Sequence, residues 1–164
     1  MKLMNWVLAI GLVATAAQAA EPFTITLPTG YGAWTSQTQT ATSPDGKKTE
    51  VTTWVAKSPT GEAIVVSISK MPGKIGDPDK LFASTRDALL KSTNSTLDKE
   101  EKLSGATPGE RLSFHSSSGA FLRSRLMVDN DRFYQVLYVG HSAEQRENPA
   151  VGAMFDSFAV TPAQ

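Results

Sequence analysis

Apolar and polar residues alternate along much of the first half of the chain, which is the pattern of half-buried β-strands. Four such segments lie between turn signals rich in Pro and Gly, at residues 23–27, 34–42, 49–57 and 63–69. The last segment, AIVVSIS, is the most apolar and therefore predicts an interior strand. Because the connections are short, the four segments predict an antiparallel meander.

A helical pattern interrupts the strands near residue 77. Asp77 can cap a helix, and Pro78 suits the first helical position because no N–H is needed there. Apolar and small residues then recur at helical spacing at Leu81, Phe82, Thr85, Ala88 and Leu89. We therefore predict a helix from about Pro78 to Ser92.

Strand patterns return in the second half, at residues 96–103, 110–115, 120–128 and 132–140. The mixed charges of LDKEEKL in the first of these predict an exposed edge strand. A loop over 143–148 and a short helix from Asn148 to about Asp156 follow. Since the strands come in consecutive runs, we predict an α+β fold: a twisted antiparallel sheet of about six to eight strands with one long and one short helix packed on it.

The first 19 residues predict a secretory signal peptide. Lys2 precedes an apolar run over 6–17, and Ala17-Gln18-Ala19 forms an A-x-A cleavage site. The run is shorter than the ~20 residues that cross a bilayer. We expect cleavage after Ala19, which leaves residues 20–164 as one domain without a membrane anchor. The expected location is the bacterial periplasm or the exterior.

Composition and charge exclude several classes of function. The 164 residues contain no Cys, and 16 Lys+Arg balance 16 Asp+Glu. The absence of Cys excludes disulfides and thiolate metal sites, and the balance of charges argues against a nucleic-acid binder. His115 and His141 lack metal-binding spacing, so we expect no metal and no other cofactor. We expect a monomer.

Two short motifs imitate functional sites. Residues 140–144, GHSAE, resemble the nucleophile elbow G-x-S-x-G but have Glu in place of the last Gly, so a serine hydrolase is only a remote alternative. Asp129-Asn130-Asp131 has the opening spacing of a calcium loop without the rest of it. A hairpin turn explains the second motif without a metal.

Three arginines are predicted to share one face of the last strands. Along 120–128, one face carries Leu122, Leu126 and Val128, and the other carries Phe121, Arg123, Arg125 and Met127. A three-residue loop at Ser116–Ser118 would pair Arg111 with Arg123 and Leu112 with Leu122, which keeps apolar residues together. The candidate binding residues are Arg111, Arg123, Arg125 and Tyr138.

Two interpretations of this arginine face remain open. Clustered guanidinium groups beside a tyrosine can hold a small anionic ligand or an acidic protein surface. Alternatively, the face is solvated, its aliphatic stems cover Phe121 and Met127, and its charges pair with Glu110 or Asp156.

The order of elements and several short signatures resemble the PsbP-like superfamily. The signatures are FTITLPTGY at 23–31, GATPGE at 105–110, RFYQ at 132–135 and FDSF at 155–158. The resemblance implies an antiparallel sheet with helices on both faces, and an accessory or binding role without catalysis. Metal binding is discussed for photosynthetic members, but this sequence has no matching histidine–carboxylate cluster, so no metal site is transferred.

The expected function is therefore that of an exported, non-catalytic accessory protein that acts through protein–protein contacts. The alternative is a small-molecule or ion-binding protein with a pocket between helix and sheet.

Overall fold

The computed structural model describes residues 22–42, 46–104 and 107–161. The strands are β1 (Phe23–Thr24), β2 (Thr35–Thr42), β3 (Lys48–Lys57), β4 (Ala63–Lys70), β5 (Ser95–Leu103), β6 (Gly109–Ser116), β7 (Phe121–Asp129), β8 (Arg132–Gly140) and β9 (Ala159–Val160). The helices are α1 (Pro78–Ser92), α2 (Ala143–Arg146) and α3 (Pro149–Ser157). The predicted signal peptide lies outside the described residues.

Seven strands form one antiparallel sheet in the order β2-β3-β4-β8-β7-β6-β5. Two meanders, β2 to β4 and β5 to β8, meet where β4 pairs with β8. Helix α1 carries the chain from β4 to the far edge at β5. The predicted α+β fold is confirmed, and β4 is an interior strand as its apolar sequence predicts.

Local sequence explains both ends of α1, which has the predicted bounds. The Asp77 side chain accepts a hydrogen bond from the Lys80 N–H at 3.0 Å and caps the first turn. At the other end, the Thr93 N–H and hydroxyl both donate to the Leu89 carbonyl. Asn94 then takes a φ of 47° and turns the chain into β5.

Helices cover both faces of the large sheet, as the resemblance implies. Phe82 of α1 packs on one face, against the buried residues Val65, Leu112, Phe114, Leu122, Leu126, Val128, Phe133 and Leu137. Three residues of α3 pack on the opposite face: Val151, Met154 and Phe155. Leu126 lies towards α1 and Met127 towards α3, which confirms the prediction that these two residues lie on opposite faces.

The predicted pairing of residues 23–27 with the next strand of the meander is wrong. Only Phe23 and Thr24 form a strand, and they pair with β9 in a separate two-stranded sheet instead of starting the meander. The Phe23 ring packs edge-on against Trp34 and Trp54, with ring centroids 5.9 and 5.1 Å apart. The alternating pattern therefore reflects burial of apolar side chains against the large sheet rather than pairing with β2.

The β6–β7 loop has the predicted length but lies one residue later. Its residues are Ser117, Ser118 and Gly119, and the Ser116 N–H donates to the Ala120 carbonyl at 2.8 Å. Gly119 has a φ of 89°, which a residue without a side chain adopts at little cost and which closes a three-residue hairpin loop.

The shift of the loop corrects the predicted strand register. Arg111 lies opposite Arg125 instead of Arg123, and Leu112 lies opposite Ser124 instead of Leu122. Because the register moves by two residues, every side chain keeps its predicted face.

The region predicted as a loop over 143–148 contains the four-residue helix α2. Ser142 caps it by accepting a hydrogen bond from the Gln145 N–H at 3.1 Å. Arg146 is buried and donates to the Phe114 carbonyl and to Asp98, at 3.1 and 2.5 Å. These contacts with β6 and β5 stabilise a turn whose local sequence is polar.

Strand β5 lies at a sheet edge and is largely exposed, as its charges predict. Its side towards α1 carries Glu100, whose neighbour Glu110 on β6 is only 3% exposed. Arg86 of α1 contacts both carboxylates, at 2.8 Å from Glu100 and 3.8 Å from Glu110. Burial, followed by the hydrogen bond and charge of Glu100, raises the pKa of Glu110 to about 7.

The protonated form of Glu110 is thus favoured by folding. Its contribution to stability is complete below its unfolded pKa near 4.5 and is lost as the pH rises through 7. The pKa of Glu100 is lowered, chiefly by the hydrogen bond from Glu110. The stability that ionised Glu100 contributes is therefore lost only as the pH falls below 4.5, outside the range from pH 5 to 8. We expect the free energy of unfolding to fall by about 1–3 kcal/mol between pH 5 and 8.

Urea denaturation across this pH range measures the effect. Glu110→Gln keeps the side-chain volume and should remove most of the slope, whereas Glu101→Gln on the neighbouring strand β5 should leave it unchanged. An unchanged slope in Glu110→Gln would contradict the assignment.

Candidate functional site

The predicted binding residues lie on the face of the sheet that α3 covers. We use the name arginine face for Arg111, Arg123 and Arg125, which project from β6 and β7 beside the buried Tyr138 of β8. Arg123 lies opposite Tyr138 in the β7–β8 register. The structure therefore brings these four residues to one side of the sheet.

The arginine face contacts the C-terminal turn of α3. Arg111 forms an ion pair with Asp156, and Arg125 donates to the Phe155 carbonyl at 2.5 Å. The Arg123 guanidinium lies over the Phe155 ring, 5.3 Å from its centroid. Cations are favoured at the negative end of a helix dipole, so these contacts hold α3 on the sheet. Binding of an external anion or acidic partner by the arginines stays a prediction.

Electrostatics explain why α3 is needed at this position. Arg111 and Arg125 are direct cross-strand neighbours, and like charges in that position repel. Burial, and secondarily the Arg111 charge, lowers the pKa of Arg125, while Asp156 acts in the opposite sense. The carboxylate and carbonyl of α3 thus offset a repulsion that is built into the sheet.

Tyr138 is fully buried and has a polar partner outside the arginine face. Its hydroxyl donates to Glu62 Oε1 at 2.9 Å. Burial and this hydrogen bond raise the pKa of Tyr138, so the phenol stays protonated. Gly140, two residues later on the same face, provides the necessary space, because a Cβ there would lie 2.7 Å from the hydroxyl.

Glu62 lies just after the turn between β3 and β4 and is fixed by three hydroxyl groups. Its Oε2 accepts hydrogen bonds from Thr60 at 2.5 Å and Ser58 at 2.9 Å, and its Oε1 accepts the bond from Tyr138. The bond from Thr60 is the largest cause of the lowered pKa of Glu62. Glu62 is therefore a carboxylate at neutral pH.

The described residues place no Lys or Arg nitrogen within 4 Å of this carboxylate. His141 is the basic residue close to it, and the ring of His141 lies against Gly61. The negative charge of Glu62 is consequently stabilised chiefly by neutral donors, with a smaller contribution from the charge of His141.

Glu62 lines an open cleft of about 460 Å³, which we call the carboxylate cleft. Three segments form it: residues 28–31, the turn before β4, and the region from Gln145 to the first turn of α3. Its lining residues are Pro28, Thr29, Gly30, Tyr31, Ser58, Pro59, Thr60, Glu62, Gln145, Asn148, Ala150 and Val151. The cleft therefore joins loops at one end of the sheet to the N-terminus of α3.

Tyr31 adds an unused polar group to the cleft. Its hydroxyl is buried and has no hydrogen-bond partner. Burial, with a smaller contribution from the charge of Glu62, raises the pKa of Tyr31 to about 12. A buried hydroxyl without a partner costs free energy, which a bound ligand could recover.

Sequence analysis did not identify this site. The local signal was the segment Ser58-Pro59-Thr60-Gly61-Glu62, in which two hydroxyl side chains precede a carboxylate across a turn. The Tyr138 hydroxyl reaches this carboxylate from 76 residues away in the sequence, and Tyr31, 31 residues away, lies close enough for the charge of Glu62 to affect its pKa. Only the strand order β3-β4-β8 brings Tyr138 to Glu62.

The two imitation motifs have structural explanations. Ser142 has an extended backbone, with φ −149°, and its hydroxyl caps α2, so it lacks the strained turn of a nucleophile elbow. Asn130 and Asp131 form the β7–β8 turn, and their carbonyls accept hydrogen bonds from Ile75 and Met71.

The remaining histidine, His115, bonds to Asp98 at 2.7 Å. Across the described part of the chain, no group of three His, Asp or Glu side chains could hold a metal ion. Among the helices of residues 22–42, 46–104 and 107–161, none has the length and apolar character needed to cross a bilayer.

The contact between the arginine face and α3 gives a stability prediction. Arg125→Met keeps an unbranched stem but removes the donor to Phe155, and we expect a loss of about 1–3 kcal/mol in unfolding free energy. Urea denaturation measures the loss, and amide hydrogen exchange should increase first in α3. The matched control is Lys74→Met at an exposed position before α1, which should change the unfolding free energy by less than ~0.5 kcal/mol. Unchanged exchange in α3 would contradict the role of Arg125.

Comparison with known proteins supports the fold independently of the sequence signatures. No protein-family model and no curated protein sequence matches the chain. The solution structure of cyanobacterial PsbP (CyanoP) from Synechocystis sp. PCC 6803 is similar, with a TM-score of 0.53 and 14% sequence identity. The similarity covers 91% of this chain and 98% of that one. The chain therefore has a PsbP-like fold, as its sequence signatures predict.

Proposed function

We propose that the protein is an exported, non-catalytic accessory protein that binds a partner protein through the carboxylate cleft. The PsbP-like fold supports an accessory role by analogy, and the signal-peptide pattern of residues 1–19 supports export. The observation that carries the proposal is the Glu62 carboxylate. It is held by Thr60, Ser58 and Tyr138 at the wall of an open cleft, without a Lys or Arg partner among the described residues.

The geometry favours binding over catalysis. Glu62 has a lowered pKa, and each of its oxygens already accepts a hydrogen bond, so it is a poor general base. The hydroxyls of Ser58 and Thr60 donate to this carboxylate, and no hydrogen bond joins either one to a histidine in the described structure. A preformed site with fixed polar groups and no activated nucleophile is suited to recognition.

Because the cleft is open, it suits a side chain that protrudes from a protein surface better than a small molecule that has to be enclosed by the protein. Thr29 and Gly30 form an exposed part of its rim, and the exposed residue Asn148 lies at the rim formed by α3. A partner can therefore contact the rim while one side chain enters the cleft.

Site-specific photocrosslinking in the exporting cell tests the proposal. A photoreactive amino acid at Thr29 should give a discrete protein adduct, and the same group at Lys91 on the opposite face should not. Glu62→Gln in the Thr29 background should reduce the adduct about tenfold, because it removes the charge while retaining the shape. Equal adducts at both positions, or no adduct at Thr29, would overturn the proposal.

A further inference from the structure

We propose that the carboxylate cleft receives the primary ammonium group of a lysine side chain from the partner protein. This inference rests on the proposed function and adds the chemistry that the cleft recognises. Three features of the cleft carry it: the remaining hydrogen-bonding capacity of Glu62, the unpartnered hydroxyl of Tyr31, and the apolar walls.

The hydrogen bonds already made by Glu62 favour an ammonium group over a guanidinium group. A carboxylate has about four acceptor positions, two on each oxygen. Thr60 and Ser58 occupy Oε2, and Tyr138 occupies one position on Oε1, so one position remains. Arginine binds carboxylates best through two parallel bonds to both oxygens, which this arrangement does not offer. An ammonium group acts as a compact charge and needs only one oxygen.

Further acceptors are present for the other two ammonium hydrogens. The Tyr31 oxygen is buried and unused, and a phenol that stays protonated still accepts a hydrogen bond. The side-chain carbonyl of Gln145 accepts one bond, from the His141 N–H at 2.7 Å, and keeps a second lone pair. Glu62, Tyr31 and Gln145 all line the cleft, and each keeps an acceptor position for a group with three donors.

The walls of the cleft suit an aliphatic stem. Pro28, Pro59, Ala150 and Val151 supply apolar surface around the polar groups. Lysine buries its methylene groups along such surface while its charged end reaches a polar partner. The N-terminus of α3 does not compete for an anion here, because Asn148 accepts bonds from the Ala150, Val151 and Gly152 N–H groups.

Calorimetric titration of the mature protein with Nα-acetyl-lysine methylamide tests the inference. The probe should bind about tenfold or more tightly than the arginine, norleucine and Nε-acetyl-lysine counterparts, because only lysine combines the stem with a compact charge. Glu62→Gln should abolish this preference, and Glu144→Gln, on exposed α2 nearby, should preserve it. Equal binding of all four probes, or binding that survives Glu62→Gln, would overturn the inference.

Tyr31→Phe separates recognition from folding. Because the hydroxyl has no partner in the free protein, its removal should leave the melting temperature unchanged or higher while lysine binding weakens about threefold or more. Unchanged binding in this variant, with the fold intact, would contradict the role of Tyr31. Tighter binding of cadaverine than of the lysine probe would overturn the assignment to a protein side chain.

The two proposals fail in different ways. Photocrosslinks at Thr29 without any preference for the lysine probe would overturn the ammonium inference and leave the partner-binding function in place. Specific binding of the lysine probe without crosslinks at Thr29 would overturn the partner-binding function, and with it the assignment of the ammonium group to a partner.

Discussion

The contact between the arginine face and the C-terminal turn of α3 determines the arrangement of one whole side of the protein. Arg111 and Arg125 lie opposite each other in adjacent strands, where their charges repel. Asp156 and the Phe155 carbonyl provide the negative groups that make this arrangement tolerable. Because the first turn of the same helix lines the carboxylate cleft, the position of this wall of the cleft depends on arginines at the other end of α3.

The sequence predicts those parts of the fold that depend on local physics. Helix α1 begins and ends where its capping residues allow, and the faces of β7 follow from simple alternation. The wrong predictions concern contacts between distant segments: Phe23 pairs with Val160, and Arg146 of α2 is held by Asp98 and Phe114. The predicted β6–β7 register differs from the observed one because the position of Gly119 in the loop sets the pairing, and not hydrophobic matching alone.

The candidate site also combines features that the sequence predicts with contacts that it does not. Shared faces predict that the arginines lie together, and Asp156, 45 residues from Arg111, is one of the two partners that the sequence suggests. The bond from Arg125 to the Phe155 carbonyl, 30 residues away, has no signal in the sequence. The carboxylate cleft depends on Glu62, Tyr31 and Tyr138, which meet only because β4 pairs with β8 and residues 28–31 pass over the end of the sheet. Neither polar periodicity nor short motifs carry that information, since the hydroxyls and carboxylate involved are ordinary residues of turns and strands.

The central claim is that the arginine charges are used internally, whereas the Glu62 charge is left for a ligand. Amide NMR titrations of one sample, first with inorganic phosphate and then with butylammonium, test this claim most directly. We expect butylammonium to shift the signals of Tyr31 and Glu62, and phosphate to leave Arg111, Arg125 and α3 unchanged. Phosphate-induced shifts across α3, with no response of Glu62 to butylammonium, would contradict it.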